Sequence, residues 1–361
     1  MNESPPLTLP INMPQQVDYL IIGQGLAGSL LSWELIQHGC SFHLIDNQQE
    51  NASQIAAGLI NPVTGMRLVK NNHIDTLLPC AKKTYQALSQ FFQEDFYIEK
   101  SMLRIVRNEK EQLSYQKRRK DPNYLNYLEP KLKQAPDSIH APLGIIQQKQ
   151  TGYLLTHKLL SCLKNYFQEQ QCYQACQFDY QDLQINTQVT WQGITAKKVI
   201  FCEGYQTIYN PWFNYLPFQL AKGEILTMST RQILIPEMLN YGHWLIPLDA
   251  HRFRTGASFD NNNLDTQATA QAKQQLLESL RKTYPSLHSA TLDKQQANIR
   301  PTTLDKAPFI GQHPTYENLT IFNGFGAKGS LQIPYYSQHF VENLLKQTPL
   351  EQQVNCLRYA Q

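Results

Sequence analysis

The feature that most constrains this chain is a short run of glycines set between two apolar segments. Val17-Asp18-Tyr19-Leu20-Ile21-Ile22 reads as a buried strand and runs directly into Gly23-Gln24-Gly25-Leu26-Ala27-Gly28, a G-x-G-x-x-G sequence. Leu26, Leu30, Trp33, Leu35 and Ile36 then keep a helical apolar spacing as far as Gly39, and a second strand, Phe42-His43-Leu44-Ile45, ends at Asp46. Each glycine has a task in such a unit. Gly23 permits the tight turn, Gly25 lets the backbone approach a pyrophosphate, and Gly28 allows close helix-strand packing. The helix N-terminus offers amides and the positive end of its dipole to phosphates. Asp46, 18 residues beyond Gly28, stands where a carboxylate accepts hydrogen bonds from an adenosine ribose. A glycine turn by itself occurs in any strand-helix unit, and the second strand and the acid in register are what give this one its meaning. NAD and FAD share the fingerprint, so the rest of the chain must choose between them.

A simple NAD dehydrogenase would continue with alternating strands and helices. Here Asp46 is followed by Ala52-Ser53-Gln54-Ile55-Ala56-Ala57-Gly58-Leu59-Ile60-Asn61-Pro62, whose small residues suggest backbone lying close against a ligand. Thr156 reads as an N-cap, with Leu159, Leu160, Leu163 and Phe167 as an apolar helical face. Val199-Ile200-Phe201-Cys202 is a further buried strand, followed by Glu203-Gly204. From about 217 to 260 short apolar runs separated by Gly223, Gly242 and Gly256 read as antiparallel sheet, and Ala268, Ala272, Leu276, Leu277 and Leu280 mark a helix. Leu319-Thr320-Ile321-Phe322 is a strand leading into Gly324-Phe325-Gly326-Ala327-Lys328-Gly329, and a closing helix follows with Pro334 in its first turn. With 361 residues and 42% apolar composition the chain can bury a sizeable core. The net charge of +3 is too small for a protein built mainly to coat nucleic acid or anionic lipid. Seven cysteines without a C-x-x-C pair suit a reducing, cytoplasmic setting, and the scattered histidines give no metal-site spacing. No apolar run is long enough to span a membrane, so no membrane insertion is expected, and residues 1–16 read as a flexible lead.

Taken together, these pieces resemble the D-amino-acid oxidase superfamily of FAD enzymes, which includes glycine oxidase, sarcosine oxidase and the oxidase domain of a tRNA wobble-uridine-modifying enzyme. The resemblance runs from about 17 to 345. It rests on the fingerprint with Asp46, Ala52 to Gly58, Ile200 to Gly204, Lys222-Gly223-Glu224, Trp244 to Leu248, Ile299-Arg300-Pro301-Thr302-Thr303, and Gly324 to Gly329. It implies an α/β (α+β overall) architecture with a Rossmann-like FAD-binding domain and a second, mostly antiparallel β-sheet substrate domain. The FAD-binding domain is expected to be discontinuous, from 17–80, 150–213 and 297–361, with 81–149 and 214–296 forming the substrate domain. FAD is expected to be noncovalent, because no cysteine matches the flavin-linking one of sarcosine oxidase. Its contacts are expected from Gly23, Gly25, Leu26, Ala27, Gly28, Asp46, Ser53, Ala57, Gly58, Gly204, Gly326, Ala327, Lys328 and Gly329.

By the same resemblance Arg300 grips a substrate carboxylate, for which a guanidinium offers two parallel donors. Lys328 stands where glycine oxidase carries Arg and sarcosine oxidase Lys, and Arg67 resembles another carboxylate-contacting arginine. Tyr97, Tyr241 and Trp244 are aromatics that could shape a pocket. The activity implied is oxidation of the C–N bond of a small amino acid or secondary amine, by hydride transfer to flavin N5 with hydrolysis of the imine. A second reading is tRNA modification at carboxymethylaminomethyl-uridine. The stretch from Lys100 to Lys133 carries Arg104, Arg107, Lys110, Lys117, Arg118, Arg119, Lys120 and Lys131 interleaved with Tyr115, Tyr124 and Tyr127, a combination that could meet phosphates and stacked bases. The ordinary explanation of such a run is a solvated helix face. A third reading is an FAD protein in which the cofactor is structural.

Overall fold

The computed structural model describes residues 15–71 and 73–360. Its larger sheet has eight strands. Tyr173–Ala175, Phe42–Asp46, Gln15–Ile22 and Ile194–Phe201 lie side by side, all parallel. Beyond Ile194–Phe201 the neighbour changes along its length. Val189–Trp191 pairs antiparallel with the first half and Leu319–Asn323 parallel with the second. Parallel strands covered on both faces must be apolar on both faces. Leu20, Ile21, Leu44, Val199 and Ile200 accordingly have no exposed surface. One face packs on the helices Leu26–Gln37, Ile74–Phe92 and Gly329–Lys346, and the other on an aromatic cluster of Phe178, Trp191, Phe201 and Phe213.

The second sheet runs in the order Thr291–Arg300, Ala221–Ser229, Arg252–Gly256, Trp244–Pro247, Met238–Asn240, Met102–Ile105, Ile145–Gln148. Every pairing is antiparallel except that of Met238–Asn240 with Met102–Ile105. The strand Thr291–Arg300 crosses residue 297, where a division between units was expected. Its first residues are exposed and its last ones buried, so it delivers Arg300 from the open end of the second sheet to the junction with the first.

Three local expectations are corrected. The lead falls mainly on residues 1–14, which lie outside the described residues, but Gln15 and Gln16 already pair with Ile194 and Thr195. Thr156 is the first residue of the helix Thr156–Glu169 instead of its cap, and its hydroxyl donates to Ala56 O at 3.4 Å. Pro334 sits inside the closing helix, which begins at Gly329. A proline there leaves the carbonyl of Ser330 without its helical donor. The Tyr85 hydroxyl donates to that oxygen at 2.6 Å and restores the bond.

Candidate functional site

A cavity of about 610 Å³ lies between the two sheets. Part of its wall is built by the glycine turn. Gly23 has φ +103°, and a Cβ there would lie 2.6 Å from Cys202 O. At Gly28 a Cβ would come within 2.0 Å of Gly23 O, so Gly28 closes the turn from behind and does not line the cavity. Gly25, Leu26 and Ala27 do line it, at the start of the helix Leu26–Gln37. Gly25 has no side chain with which to cap that helix, and Ser53 Oγ accepts from Leu26 N at 3.0 Å instead. Asp46 accepts from Gln24 N at 2.8 Å and Gln48 N at 2.9 Å, which fixes its carboxylate at the cavity wall. Ala57, Gly58 and Gly204 extend the wall.

Arg300, Lys328 and Trp244 line the same cavity. Arg300 lies across Gly223, where a Cβ would be 1.8 Å from Nη2, and that nitrogen donates to Ser258 O at 3.3 Å. The Gly223 backbone is thus what leaves room for the guanidinium. Lys328 lies on the loop Gly326–Lys328, and Gly326, Ala327 and Gly329 line the cavity with it. Neither Arg300 nor Lys328 has a carboxylate partner among the described residues. Burial lowers the pKa of both, and the positive charge of Lys306 adds to the effect at Lys328. An unpaired, partly desolvated guanidinium facing a cavity is a site for an anion.

Several predicted residues are elsewhere. Tyr241 is buried among Leu103, Ile105 and Leu226 with its hydroxyl on Thr255 Oγ1 at 2.6 Å, and it does not reach the cavity. Arg67 is exposed in the turn between Val63–Thr64 and Val69–Lys70 and does not line the cavity, although Thr64 of the same hairpin does. Tyr97 stacks on Tyr85 with ring centroids 6.2 Å apart and lies outside the lining as well.

Two residues that the sequence did not single out border the site. Glu203 lines the cavity and accepts from Tyr180 Oη at 2.5 Å and Asn210 Nδ2 at 2.9 Å. With neutral donors and no cation beside it, burial raises its pKa to about 7. Arg254 donates through Nη1 to Ala56 O at 3.0 Å and through Nη2 to Ile55 O. The strand alternation that puts Arg254 on the same face as Gly256 is visible in Arg252-Phe253-Arg254-Thr255-Gly256, and was the available signal.

The basic stretch folds in a way that removes its aromatics. Tyr115, Tyr124 and Tyr127 are buried, Arg104 is paired with Glu111 in the interior, and Arg107 contacts the same carboxylate at 3.2 Å. The glycine turn, the helix start behind it and the carboxylate at the end of the second strand, all lining one cavity, fit a dinucleotide.

The sequence profile described as FAD dependent oxidoreductase (DAO) matches residues 18–342. The chain belongs to this family of FAD-dependent oxidoreductases. It is 27% identical to a glycine oxidase of Pseudomonas putida over 37% of each protein. It is also 23% identical to the tRNA 5-methylaminomethyl-2-thiouridine biosynthesis bifunctional protein MnmC of Legionella pneumophila, over 90% of this chain and 54% of that protein. The matches cover about a quarter to a half of the curated relatives' lengths, from 27% to 54%. Glycine oxidase from Geobacillus kaustophilus superposes with a TM-score of 0.78 at 18% identity, covering 93% of this chain and 96% of that one. Iminodiacetate oxidase from Chelativorans superposes at 0.75 and 19%, covering 93% and 98%. This DAO-family chain is therefore an FAD-dependent enzyme whose structural neighbours include oxidases of amino acids.

Proposed function

We propose that the chain oxidises the C–N bond of a small amino acid or secondary amine, with Arg300 holding the substrate carboxylate. The observation that carries this reading is Arg300, a guanidinium without a carboxylate partner among the described residues that lines the same cavity as the glycine turn. When bound, FAD supplies a two-electron acceptor at N5 for the hydride of the carbon bearing the amine. Arg300 would donate two parallel hydrogen bonds to the carboxylate and so orient that carbon, while Trp244 and the loop Gly326–Lys328 would wall the reacting carbon from water. The chemistry asks for a neutral amine and good alignment more than for a side-chain base, and the product imine hydrolyses in water. Lys328 would add positive charge to the same cavity. Gly23, Gly25 to Ala27, Asp46, Ser53, Ala57, Gly58 and Gly204 would hold the cofactor noncovalently, with Gly28 acting from behind the turn. Seven free thiols suit a cytoplasmic setting. Among the described residues no helix is long and apolar enough to cross a membrane.

The tRNA reading draws support from the MnmC relatives and from the exposed cations Arg107, Lys110, Lys117, Lys120 and Lys131. It loses the base-stacking part of its rationale, because the three tyrosines are buried. Anaerobic mixing of the FAD-loaded protein with glycine, sarcosine, proline, D-alanine and a carboxymethylaminomethyl-uridine tRNA separates the readings. Bleaching of the flavin band by a small amine supports the first. Bleaching by the tRNA alone replaces it with the second, and no bleaching by any of them leaves the structural-cofactor reading.

A further inference from the structure

The chain carries a half-buried cation that the proposed chemistry does not use. Arg254 lies on the same face of Arg252–Gly256 as Gly256, which lines the cavity, but its side chain passes behind the wall. There it meets the end of the short helix Ala52–Ile55. Nη1 donates to Ala56 O at 3.0 Å and Nη2 to Ile55 O, carbonyls that a four-residue helix cannot satisfy internally. Two more side chains from the second sheet hold the same segment. Gln296 Nε2 donates to Glu50 Oε1 and Asn298 Nδ2 to Glu50 O, both at 2.8 Å. Glu50, Ile55, Ala56, Ala57 and Gly58 all face the cavity. The second sheet thus clasps a strip of wall that it does not itself contribute.

Gln296 and Asn298 achieve their part of the clasp with neutral amides. Arg254 brings a full charge, half-buried and with no carboxylate partner among the described residues, and desolvation lowers its pKa. Placing an uncompensated guanidinium inside a protein is costly unless its field acts on something. What lies across the Ile55–Gly58 wall is the cavity. We propose that Arg254 is a positioning residue for FAD, fixing the Ile55–Gly58 wall through two carbonyls and projecting positive potential that favours the reduced, more negatively charged cofactor. The proposal rests on this cavity holding the flavin, and not on the identity of the substrate.

The test compares Arg254→Met and Arg254→Lys in the full-length, FAD-loaded protein, reading the flavin midpoint potential by dye equilibration and the FAD dissociation constant by fluorescence. Methionine keeps the length and removes both charge and donors. The expected outcome is a lower midpoint potential together with FAD binding weakened about tenfold, the scale of one charge-assisted hydrogen bond. Lysine keeps the charge but loses the two-pronged grip, so affinity falls while the potential stays at the wild-type value. An Arg254→Met protein that holds FAD at the wild-type potential overturns the electrostatic role. If Arg254→Met does not fold, the lysine variant decides alone: a shifted potential, or an unchanged affinity, sinks the proposal. Neither readout needs turnover, so a failure to find any amine substrate would strike the proposed function and leave this result standing.

Discussion

Two parts of the cavity wall are made in opposite ways. Around the glycine turn the first sheet presents backbone, with the acids Asp46 and Glu203 beside it. Elsewhere the second sheet presents the side chains of Arg300 and Trp244, and Lys328 joins them from the loop Gly326–Lys328. Backbone geometry is costly to alter, because a Cβ at Gly23, Gly28 or Gly58 would run into backbone. Side-chain chemistry on a sheet can change one position at a time. Under the proposed function, the comparison teaches that most of the grip on the cofactor is held in backbone and the choice of substrate in side chains.

The largest expected effect lies in the backbone around the glycine turn. Gly28→Ala would drive a methyl into Gly23 O and should cost about 3 kcal/mol or more, with loss of bound flavin absorbance. A variant that retains stoichiometric FAD would break the backbone half of the comparison. Arg300→Ala should lower kcat/KM for carboxylate amines about 100- to 1000-fold, the scale of a buried charge-assisted pair, and affect amines lacking the carboxylate far less. Equal losses for both substrate types would remove Arg300 from the anchor role.

Glu203 sharpens the comparison by pH. Its folded pKa of about 7 lies above the ordinary glutamate range, so its protonated form is the one the fold favours. The corresponding stability is complete below the unfolded pKa near 4.3, falls as pH rises, and is lost through pH 7, for a total of roughly 3–4 kcal/mol. Denaturant midpoints between pH 5 and 8.5 should show this decline, and Glu203→Gln should flatten it. Tyr241→Phe should cost about 1 kcal/mol through the lost bond to Thr255 and leave kcat unchanged. The smallest effect is expected for Arg67→Ala, with KM within about twofold of wild type because the residue lies outside the cavity. A larger change in KM would give Arg67 itself a part in the substrate site beside Thr64, which already lines the cavity.

The region around the glycine turn was legible in the sequence because a tight turn, a helix start and a carboxylate require particular residues at fixed spacing. Arg300 was legible through its Arg-Pro context. Which of the second sheet's aromatics faces the cavity was not legible, because which way a side chain points there depends on strand register and on turns between strands. Trp244 faces the cavity while Tyr241, three residues earlier, turns into the core. Arg254 escaped notice because its partners, Ile55 and Ala56, are about 200 positions away in the chain. The basic run looked like an RNA surface because composition does not reveal that its tyrosines form the interior of their own loop.

Pro334 has a wider meaning than a repaired hydrogen bond. A helix breaker is read as local punctuation, yet here it opens a berth for a hydroxyl from a residue 245 positions away. Sliding the closing helix by one residue would move that berth away from Tyr85. The proline therefore sets the axial position of Gly329–Lys346 against Ile74–Phe92, and with it the height at which the Gly326–Lys328 loop meets the cavity.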